Sequence, residues 1–566
     1  MDYPLLGVFG ILTIVSVAVI APRLGVAAPL LLVLIGIAAS LVPGVPAFDF
    51  PPELILAVVL PPLLYSAAVN VPLHDFRRNA TAITGLSVLL VIVSAVASGA
   101  LFHWLLPGLS VPAALALGAV VSPTDAVAAT SMGRRLGLPP RVVTLLEGEG
   151  LLNDASALVL LRCAIAATAG GVSLIGVAGD FAFAVGVAIG IGLVVGHLTV
   201  WLRSRLGNVV LNTTISFAVP FLAFIPTDHV HASGVLAVVV AGLVTGHRGP
   251  LVFTAEVRIS ERVNWRTIQF VLENGVFLLM GFELKYLVSE VHEDHVSVIE
   301  AVGIGLLATV VLVVVRGAFV VPLIAQLKRQ ERSARAGGRE VDSALRRLRT
   351  ASHEDVAQAR AHRRLTRKRA DLDFQTVESL GWRDGAVLGW SGMRGVVALA
   401  AAQSLPTGIP YRPQLIFIAF TVALVTLLVQ GGTLPLLIRR LGLTGSAEAD
   451  DQRDFAALVG QISAAGLESL GNPALAQDGG EPFTAEALSR VRADSIRRAQ
   501  ALDETAAPAT GAPHHQHRAL RLHVLARERA ALLDARETGA YGSHLIERAQ
   551  RMLDLEETRL SSNPWA

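Results

Sequence analysis

The chain has 566 residues, of which 53% are apolar and only 16% are charged, and its formal net charge is +2. This composition excludes an ordinary soluble protein and favours a polytopic membrane protein. The only cysteine, Cys163, excludes an intrachain disulfide and a cysteine-based metal site. The small basic excess lies in loops and polar segments, so it indicates membrane topology and not nucleic-acid binding.

Long apolar runs dominate residues 1–325 and 385–442, which we assign to an all-α transmembrane domain. A membrane-spanning helix needs about 20 apolar residues, and on this measure we expect about 13 of them. Their predicted centres are near residues 13, 34, 61, 92, 120, 155, 187, 218, 240, 274, 311, 395 and 427. The start, Met1 to Pro4, lacks the basic residues of a signal peptide, so we expect the first helix to be retained.

Basic residues alternate between the predicted loops. One side carries Arg23, Arg77, Arg78, Arg134, Arg135, Arg141, Arg203, Arg205, Arg258, Arg262, Arg266 and the segment 326–384. The other side carries only Lys285 and Arg412. The positive-inside rule therefore predicts a multi-pass protein of the cytoplasmic membrane, with its N-terminus outside and its C-terminal tail in the cytoplasm.

Two charged segments fall outside the apolar runs. Residues 326–384 read as a cytoplasmic helical insertion, with helices predicted over Asp342–Arg349 and from an N-cap at Ser352 to Lys368. Residues 443–566 form a cytoplasmic tail with helices predicted over Phe483–Leu502 and Arg518–Leu560. The tail could regulate the membrane domain through a partner that the sequence does not identify. Its histidines, His514, His515 and His517, lack a further ligand at suitable spacing, which favours a linker over a metal site.

The helix centred near 120 contains a proline, hydroxyl groups and an acid at membrane depth, in the run Ser122, Pro123, Thr124 and Asp125. Proline interrupts a helix, and irregular backbone inside a membrane is tolerated only where protein or a water-filled cavity surrounds it. This run therefore predicts an interrupted helix at an ion site. The alternative is a simple proline kink, with Asp125 capping the second half of the helix.

The helix centred near 155 carries two carboxylates and an amide. Glu149 and Asn153 are four residues apart and share a face, whereas Asp154 points about 100° away from Asn153. We expect Asp154 to face a cavity together with Asp125. A charged Glu149 needs a partner, and Arg316 in the helix near 311 is the candidate; the alternative for Arg316 is snorkelling towards the cytoplasm.

The helix centred near 395 holds Arg394 between Gly392 and Gly395, which predicts a second interruption and close backbone contact. There Arg394 would compensate the negative ends of helices. The interrupted helices are the fifth and the twelfth, so two inverted six-helix repeats would pair them, and such pairs indicate a transporter site. Among other polar residues at membrane depth, Glu273 is a candidate for a place near the site, because it precedes the apolar run Gly275–Gly281 by only two residues.

Together these motifs resemble the monovalent cation–proton antiporters, in their sodium–proton exchanger branch, over about residues 5–442. The motifs that carry the resemblance are Leu60 to Tyr65, Ser122 to Asp125, Glu147 to Asp154, the Arg316 helix, Gly392 to Gly395 and Val429 to Gly432. Their order and spacing are specific, although each is weak alone.

The resemblance implies roles for these residues. Asp154 would bind the cation and the proton alternately, beside Asn153, with Asp125 and the Thr124 carbonyl supporting the monovalent cation. Glu149 and Arg316 would form a structural ion pair, and Arg394 would lie in the second crossed helix. Possible accessory residues are Ser66, Ser122 and Glu273. The resemblance also implies a homodimer in the lipid bilayer and no cofactor beyond the transported ions.

Two positions depart from the family pattern. Gly150 stands where relatives often have a serine, and Ser66 stands where some have an acid. The resemblance implies alternating-access exchange of Na⁺ for H⁺ that serves pH and sodium homeostasis, and it leaves K⁺ and Li⁺ open as the cation. A single titrating acid beside Asn153 predicts electroneutral exchange. The remaining hypotheses are a cation channel and an intramembrane hydrolase with Asp125 and Asp154 as an aspartyl pair.

Overall fold

The computed structural model describes residues 3–43, 50–168, 174–291, 297–350, 356–377 and 379–443, together with scattered positions beyond 443. The chain divides into two compact units, Met1–Gly445 and Ser446–Ala566. The secondary structure assigned across the described residues of the first unit is helical throughout. The N-cap predicted at Ser352 and the tail histidines lie outside the described residues, as do half of the predicted tail helix Phe483–Leu502 and nearly all of Arg518–Leu560.

The described residues of the first unit contain eighteen helical segments, three of which include short stretches of wider π-helix. They are α1 Tyr3–Leu24, α2 Ala28–Ser40, α3 Leu54–Asn70, α4 Leu73–Arg78, α5 Ala80–Leu105, α6 Val111–Val121, α7 Val127–Leu136, α8 Pro140–Thr168, α9 Leu174–Arg203, α10 Val209–His229, α11 Gly234–Val252, α12 Ala255–Phe282, α13 Leu284–Val291, α14 Val298–Thr350, α15 Val356–Val377, α16 Trp382–Trp390, α17 Val396–Gln403 and α18 Arg412–Leu441.

Every predicted helix centre lies in one of these segments or in a break between two of them. In the described residues, nine helices are long and apolar enough to cross a membrane, namely α1, α5, α8, α9, α10, α11, α12, α14 and α18. Shorter apolar helices, α2, α3 and α6, accompany them. The all-helical membrane fold is therefore confirmed, whereas the count of 13 spanning helices stays a prediction.

Close helix packing gives the membrane domain its core. Helix α2 packs on α12, α3 on α11, α5 on α6 and α9 on α11. Between α2 and α12, Gly36 and Gly281 face each other so closely that a Cβ on Gly36 would lie 2.9 Å from the Gly281 Cα. Small residues at such crossings let helix backbones approach in a membrane, where dispersion forces and hydrogen bonds drive packing.

The two helices of the segment 326–384 differ from expectation in their bounds, since α15 runs past the predicted end at Lys368 to Val377. A separate helix was expected over Asp342–Arg349, but α14 runs without a break from Val298 to Thr350 and so includes this range. Gly337 and Gly338 lie inside this helix, where they face Leu372 and Arg369 of α15. Asp342 pairs with Arg369 at 2.7 Å, which joins the two helices further.

Candidate functional site

Two helix breaks meet at the centre of the membrane domain. The first separates α6, which ends at Val121, from α7, which begins at Val127. The second separates α16, which ends at Trp390, from α17, which begins at Val396. The main-chain N–H of Asp125 donates to the carbonyl oxygen of Met393 over 2.7 Å, so the breaks touch directly. Both helices are thus interrupted where Pro123 and the glycine-flanked arginine predict it.

Arg394 ties the second break to the first. Its Nε donates to the Val121 carbonyl over 3.0 Å and its Nη2 to the Ser122 carbonyl over 3.4 Å, while Nη1 donates to the Gly392 carbonyl. The side chain is only 2% exposed. These carbonyls include the negative end of α6, where a buried cation is stabilised. The Val121 and Ser122 carbonyl oxygens at this helix end thereby gain a charged donor.

Asp125 lies just before the start of α7, where the helix end carries a partial positive charge. Its Oδ1 accepts a hydrogen bond from the Val127 N–H over 2.9 Å, and its side chain is half-buried. Gly395 lies directly against this carboxylate, because a Cβ on Gly395 would lie 2.8 Å from the Asp125 Cβ and 2.9 Å from its Cγ. The glycine is required here for close approach of the two breaks.

Glu149 and Arg316 form a buried two-point ion pair. Arg316 Nη1 lies 2.5 Å from Glu149 Oε1, and Nη2 lies 2.8 Å from Oε2, with the two side chains 1% and 2% exposed. Arg316 Nε also donates to the Leu388 carbonyl in α16 over 2.9 Å. The Thr124 hydroxyl donates to Glu149 Oε1 over 2.6 Å. This pair therefore joins α8 and α14 to both interrupted helices, and its charges cancel locally.

Asn153, which belongs to α8, anchors the first break by a side-chain hydrogen bond. Its Nδ2 donates to the Thr124 carbonyl over 2.5 Å and lies 3.1 Å from the Thr124 hydroxyl oxygen. The amide is fully buried. It therefore fixes the orientation of the one backbone carbonyl that the resemblance places near the cation.

Asp154 follows Asn153 and is half-buried. No hydrogen bond joins its carboxylate to another residue in the part of the chain that the structure describes. The contact between the two helix breaks, residues 122–126 and 391–395, forms a crossing. Both arginines at this crossing are already engaged, Arg316 with Glu149 and Arg394 with backbone carbonyls. The carboxylate of Asp154 is thus available to a proton or a cation.

The possible accessory residues fall into two groups. Ser66 donates to Gln269 Oε1 over 3.0 Å, and Gln269 Nε2 lies 3.4 Å from Glu273 Oε2. These three side chains therefore form a hydrogen-bonded chain between α3 and α12. Ser122 instead donates to the Ala119 carbonyl in its own helix, and its contribution to the crossing is its main-chain oxygen.

Three contributors to the crossing escaped the sequence reasoning. The Met393 carbonyl and the Thr426 hydroxyl are acceptors, the latter for the Arg394 N–H over 3.0 Å, and Gln269 bridges Ser66 and Glu273. A carbonyl has no sequence signature, and Thr426 lies in an apolar helix where its local role is indistinguishable from helix packing. Gln269 gave a weak signal, since it lies four residues before Glu273 on one helix face.

A sequence model described as sodium/hydrogen exchanger, transmembrane, matches residues 10–440. The chain belongs to the sodium/hydrogen exchanger family. A relative from Mycobacterium tuberculosis, described as an uncharacterised Na⁺/H⁺ exchanger, is 29% identical over 98% of this chain and 96% of its own length. A Bacillus subtilis protein described as a sodium, potassium, lithium and rubidium/H⁺ antiporter is 27% identical over 75% of this chain and 60% of its own.

The fold has a match among solved structures. A sodium proton antiporter from Methanocaldococcus jannaschii superposes with a TM-score of 0.55 and 16% identity, covering 78% of this exchanger and 99% of that chain. Family membership confirms the expectation of a multi-pass membrane transporter that exchanges a monovalent cation for H⁺. It also confirms that the chain is a secondary transporter and not a hydrolase.

Proposed function

We propose that this exchanger moves one Na⁺ against one H⁺, with Asp154 loaded by either ion in turn. The observation that carries the proposal is the charge arrangement at the crossing. Glu149 is neutralised by Arg316, and the cationic Arg394 is surrounded by carbonyl oxygens. A half-buried carboxylate without a permanent counter-charge is stabilised when a proton or a cation neutralises it. Competition for Asp154 then couples the two fluxes.

The cation would bind among oxygen atoms of the crossing. The carboxylates of Asp154 and Asp125 and the main-chain oxygen of Thr124 are hard ligands, which suit alkali cations. The carbonyl that Asn153 orients keeps a second lone pair for the ion. In this proposal Glu149, Arg316 and Arg394 do not bind the cation, but hold the broken helices in the geometry that does.

Exchange of one charge for one charge makes transport electroneutral. Asn153 stands beside Asp154 where a second acid would bind a second proton, so the pair carries one negative charge at most. The site then carries the same net charge with Na⁺ as with H⁺, so each half-cycle of alternating access moves equal charge and membrane voltage does not drive turnover. Glu273 stands apart from this step as a possible accessory acid.

Na⁺ is the proposed substrate, with K⁺ and Li⁺ as alternatives. The names of the M. tuberculosis and M. jannaschii proteins specify sodium, whereas the B. subtilis name includes four cations. Gly150 lies against Ala126 in the first break, where a Cβ would lie 3.0 Å from the Ala126 Cβ. A glycine here supplies no hydroxyl ligand, and Ser66 is engaged with Gln269. Since neither Gly150 nor Ser66 supplies a free hydroxyl ligand, the oxygen atoms at the crossing would determine which cation is selected.

The cellular setting is also proposed. The distribution of arginines supports a cytoplasmic membrane, with the N-terminus outside and the segments 326–384 and 443–566 in the cytoplasm. We take residues 1–325 and 385–442 as the transport domain and assign the exchanger to pH and sodium homeostasis as a homodimer. The tail would be regulatory.

Reconstitution tests this function. Purified full-length protein in liposomes with an internal pH dye is exposed to Na⁺, K⁺ or Li⁺, with and without an ionophore that clamps the voltage. The proposal predicts Na⁺-triggered proton movement at a rate that the clamp does not change. Proton movement that depends on voltage would contradict electroneutrality, and cation flux without opposing proton flux would favour the channel.

A further inference from the structure

A basic cavity lies away from the ion site, where the arginine-rich helices meet the membrane domain. Its volume is about 620 Å³. Four parts of the fold line it: the junction of α4 and α5, the start of α8, the part of α14 beyond residue 325, and the end of α15. This volume falls within the usual range for small-molecule sites, which is about 300–1,000 Å³.

Arginines dominate the charge of this cavity. Arg78, Arg141 and Arg329 line it, and the other lining residues that the structure describes are uncharged, among them Gln330, Ser333 and Gln375. Asp371 pairs with Arg78 at 2.8 Å and offsets one of the three charges. Arg329 forms no ion pair with any described residue and is exposed to solvent. At least the positive charge of Arg329 therefore faces this concave, polar space without an acidic partner among the described residues.

Two of the arginines are held in place before any ligand arrives. Arg141 is 6% exposed and donates through Nε to Asn79 Oδ1 over 2.9 Å. The ring of Phe374 in α15 supports both side chains, with the Arg78 and Arg141 guanidinium carbons 4.9 Å and 5.3 Å from its centroid. Stacking and hydrogen bonding fix guanidinium planes, and fixed planes recognise planar or tetrahedral oxyanions with little loss of side-chain entropy.

We propose that this cavity binds a phosphate-bearing anion. Arginine forks donate paired, charge-assisted hydrogen bonds to phosphate oxygens, and the neutral glutamines and serine supply further donors. The cavity is larger than one phosphate group, so the ligand carries additional bulk. A lipid headgroup and a soluble phosphate compound share this chemistry, and the experiment below separates them.

The position of the cavity links such a ligand to transport. Arg141 lies in the first turn of α8, and Glu149 lies about 12 Å further along the same helix axis. Gln330 and Ser333 belong to α14, which also carries Arg316. A ligand that bridges these helices would restrain the two elements that the Glu149–Arg316 pair joins, and would thereby alter turnover.

The test uses full-length protein and two probes. In the soluble arm, pyrophosphate is titrated into detergent-purified protein, and binding is followed by calorimetry. In the lipid arm, the melting temperature is measured in neutral phosphatidylcholine nanodiscs with increasing phosphatidylglycerol. The variants are Arg329→Gln, Ser333→Trp, which fills the cavity while keeping its charge, and the control Arg332→Gln, an exposed arginine of α14 outside the cavity lining.

We expect saturable binding in at least one arm, weakened at least about tenfold by Arg329→Gln and by Ser333→Trp and unchanged by Arg332→Gln. The responding arm identifies the source of the phosphate group. Absence of binding in both arms would overturn the proposal, as would equal weakening by Arg329→Gln and Arg332→Gln, which would indicate general attraction to a basic surface. These readouts do not depend on transport, so they stand apart from the test of ion exchange.

Discussion

Asp125 and Met393 are joined main chain to main chain, by a 2.7 Å hydrogen bond between the two helix breaks. With this bond in place, the Asp125 carboxylate lies at the start of α7 and packs directly against Gly395. An unpaired backbone donor inside a membrane costs several kcal/mol. The second break avoids this cost for the first, because its Met393 carbonyl accepts the Asp125 N–H. The crossing is thus a structural unit whose carbonyls and carboxylates lie together without a regular helix between them.

Replacing the proposed carrier acid isolates its role. Asp154→Asn keeps the size of the side chain but removes its charge and its exchangeable proton, so we expect exchange to fall to about 1% of wild type or less. The measurement is Na⁺-dependent proton movement in proteoliposomes, with folding checked by melting temperature. Asp180→Asn is the control, because Asp180 is exposed in α9. Wild-type rates in Asp154→Asn would rule out this carrier.

The Glu149–Arg316 pair makes a prediction about stability. Arg316→Met leaves a buried carboxylate without its partner and should destabilise the protein by about 3–5 kcal/mol. The double variant Glu149→Leu with Arg316→Met removes both charges and should recover part of this loss. The melting temperatures of the three proteins in detergent provide the comparison. A double variant less stable than Arg316→Met would show that the pair does not act as a coupled unit.

Gly395 should be intolerant of any side chain. The Cβ of Gly395→Ala would push against the Asp125 carboxylate and separate the breaks, raising the KM for Na⁺ by about tenfold, equivalent to about 1.4 kcal/mol. The matched control is Gly389→Ala in α16, where an added Cβ meets no atom within 4 Å. Equal KM values in both variants would mean that the close approach at Gly395 does not shape the site.

Thr124 offers a conservative test of site geometry. Thr124→Val keeps the main-chain oxygen and the side-chain shape but removes the hydroxyl that donates to Glu149 and lies 3.1 Å from Asn153. Losing one buried hydrogen bond to a charged group costs about 1.5–3 kcal/mol, so we expect lower thermal stability and a raised KM. Thr130→Val is the control, since its hydroxyl donates only to Val127 in its own helix. A Thr124→Val protein indistinguishable from Thr130→Val would contradict this role.

Sequence reasoning reached the helix breaks because proline and glycine act locally. Pro123 cannot continue a helix, and glycines on both sides of Arg394 favour an interruption, so both positions are visible within a few residues. Asp154 and Arg316 were visible because charge is rare in apolar helices. The same reasoning explains why the all-helical membrane fold followed from hydropathy.

The contacts that the sequence did not reveal join residues far apart in the chain or are made by backbone atoms. Arg394 donates to the Val121 carbonyl from a distant part of the chain, and no pattern marks that carbonyl as its acceptor. Arg203 was counted among the loop charges, yet it is fully buried and pairs with Glu261 at 2.9 Å. The sequence around an arginine at a helix end does not show whether the arginine is solvated or buried in an ion pair, because its acidic partner comes from another helix.

The central claim is that Na⁺ and H⁺ compete for Asp154. Its most direct test is the KM for Na⁺ in wild-type proteoliposomes, measured across a series of pH values with equal pH on both sides. One-site competition predicts that, at the acidic end of the series, the KM rises about tenfold for each unit of pH lowered, while the maximal rate at saturating Na⁺ stays unchanged. A KM independent of pH, with only the maximal rate changing, would contradict a shared site and place proton binding on another group.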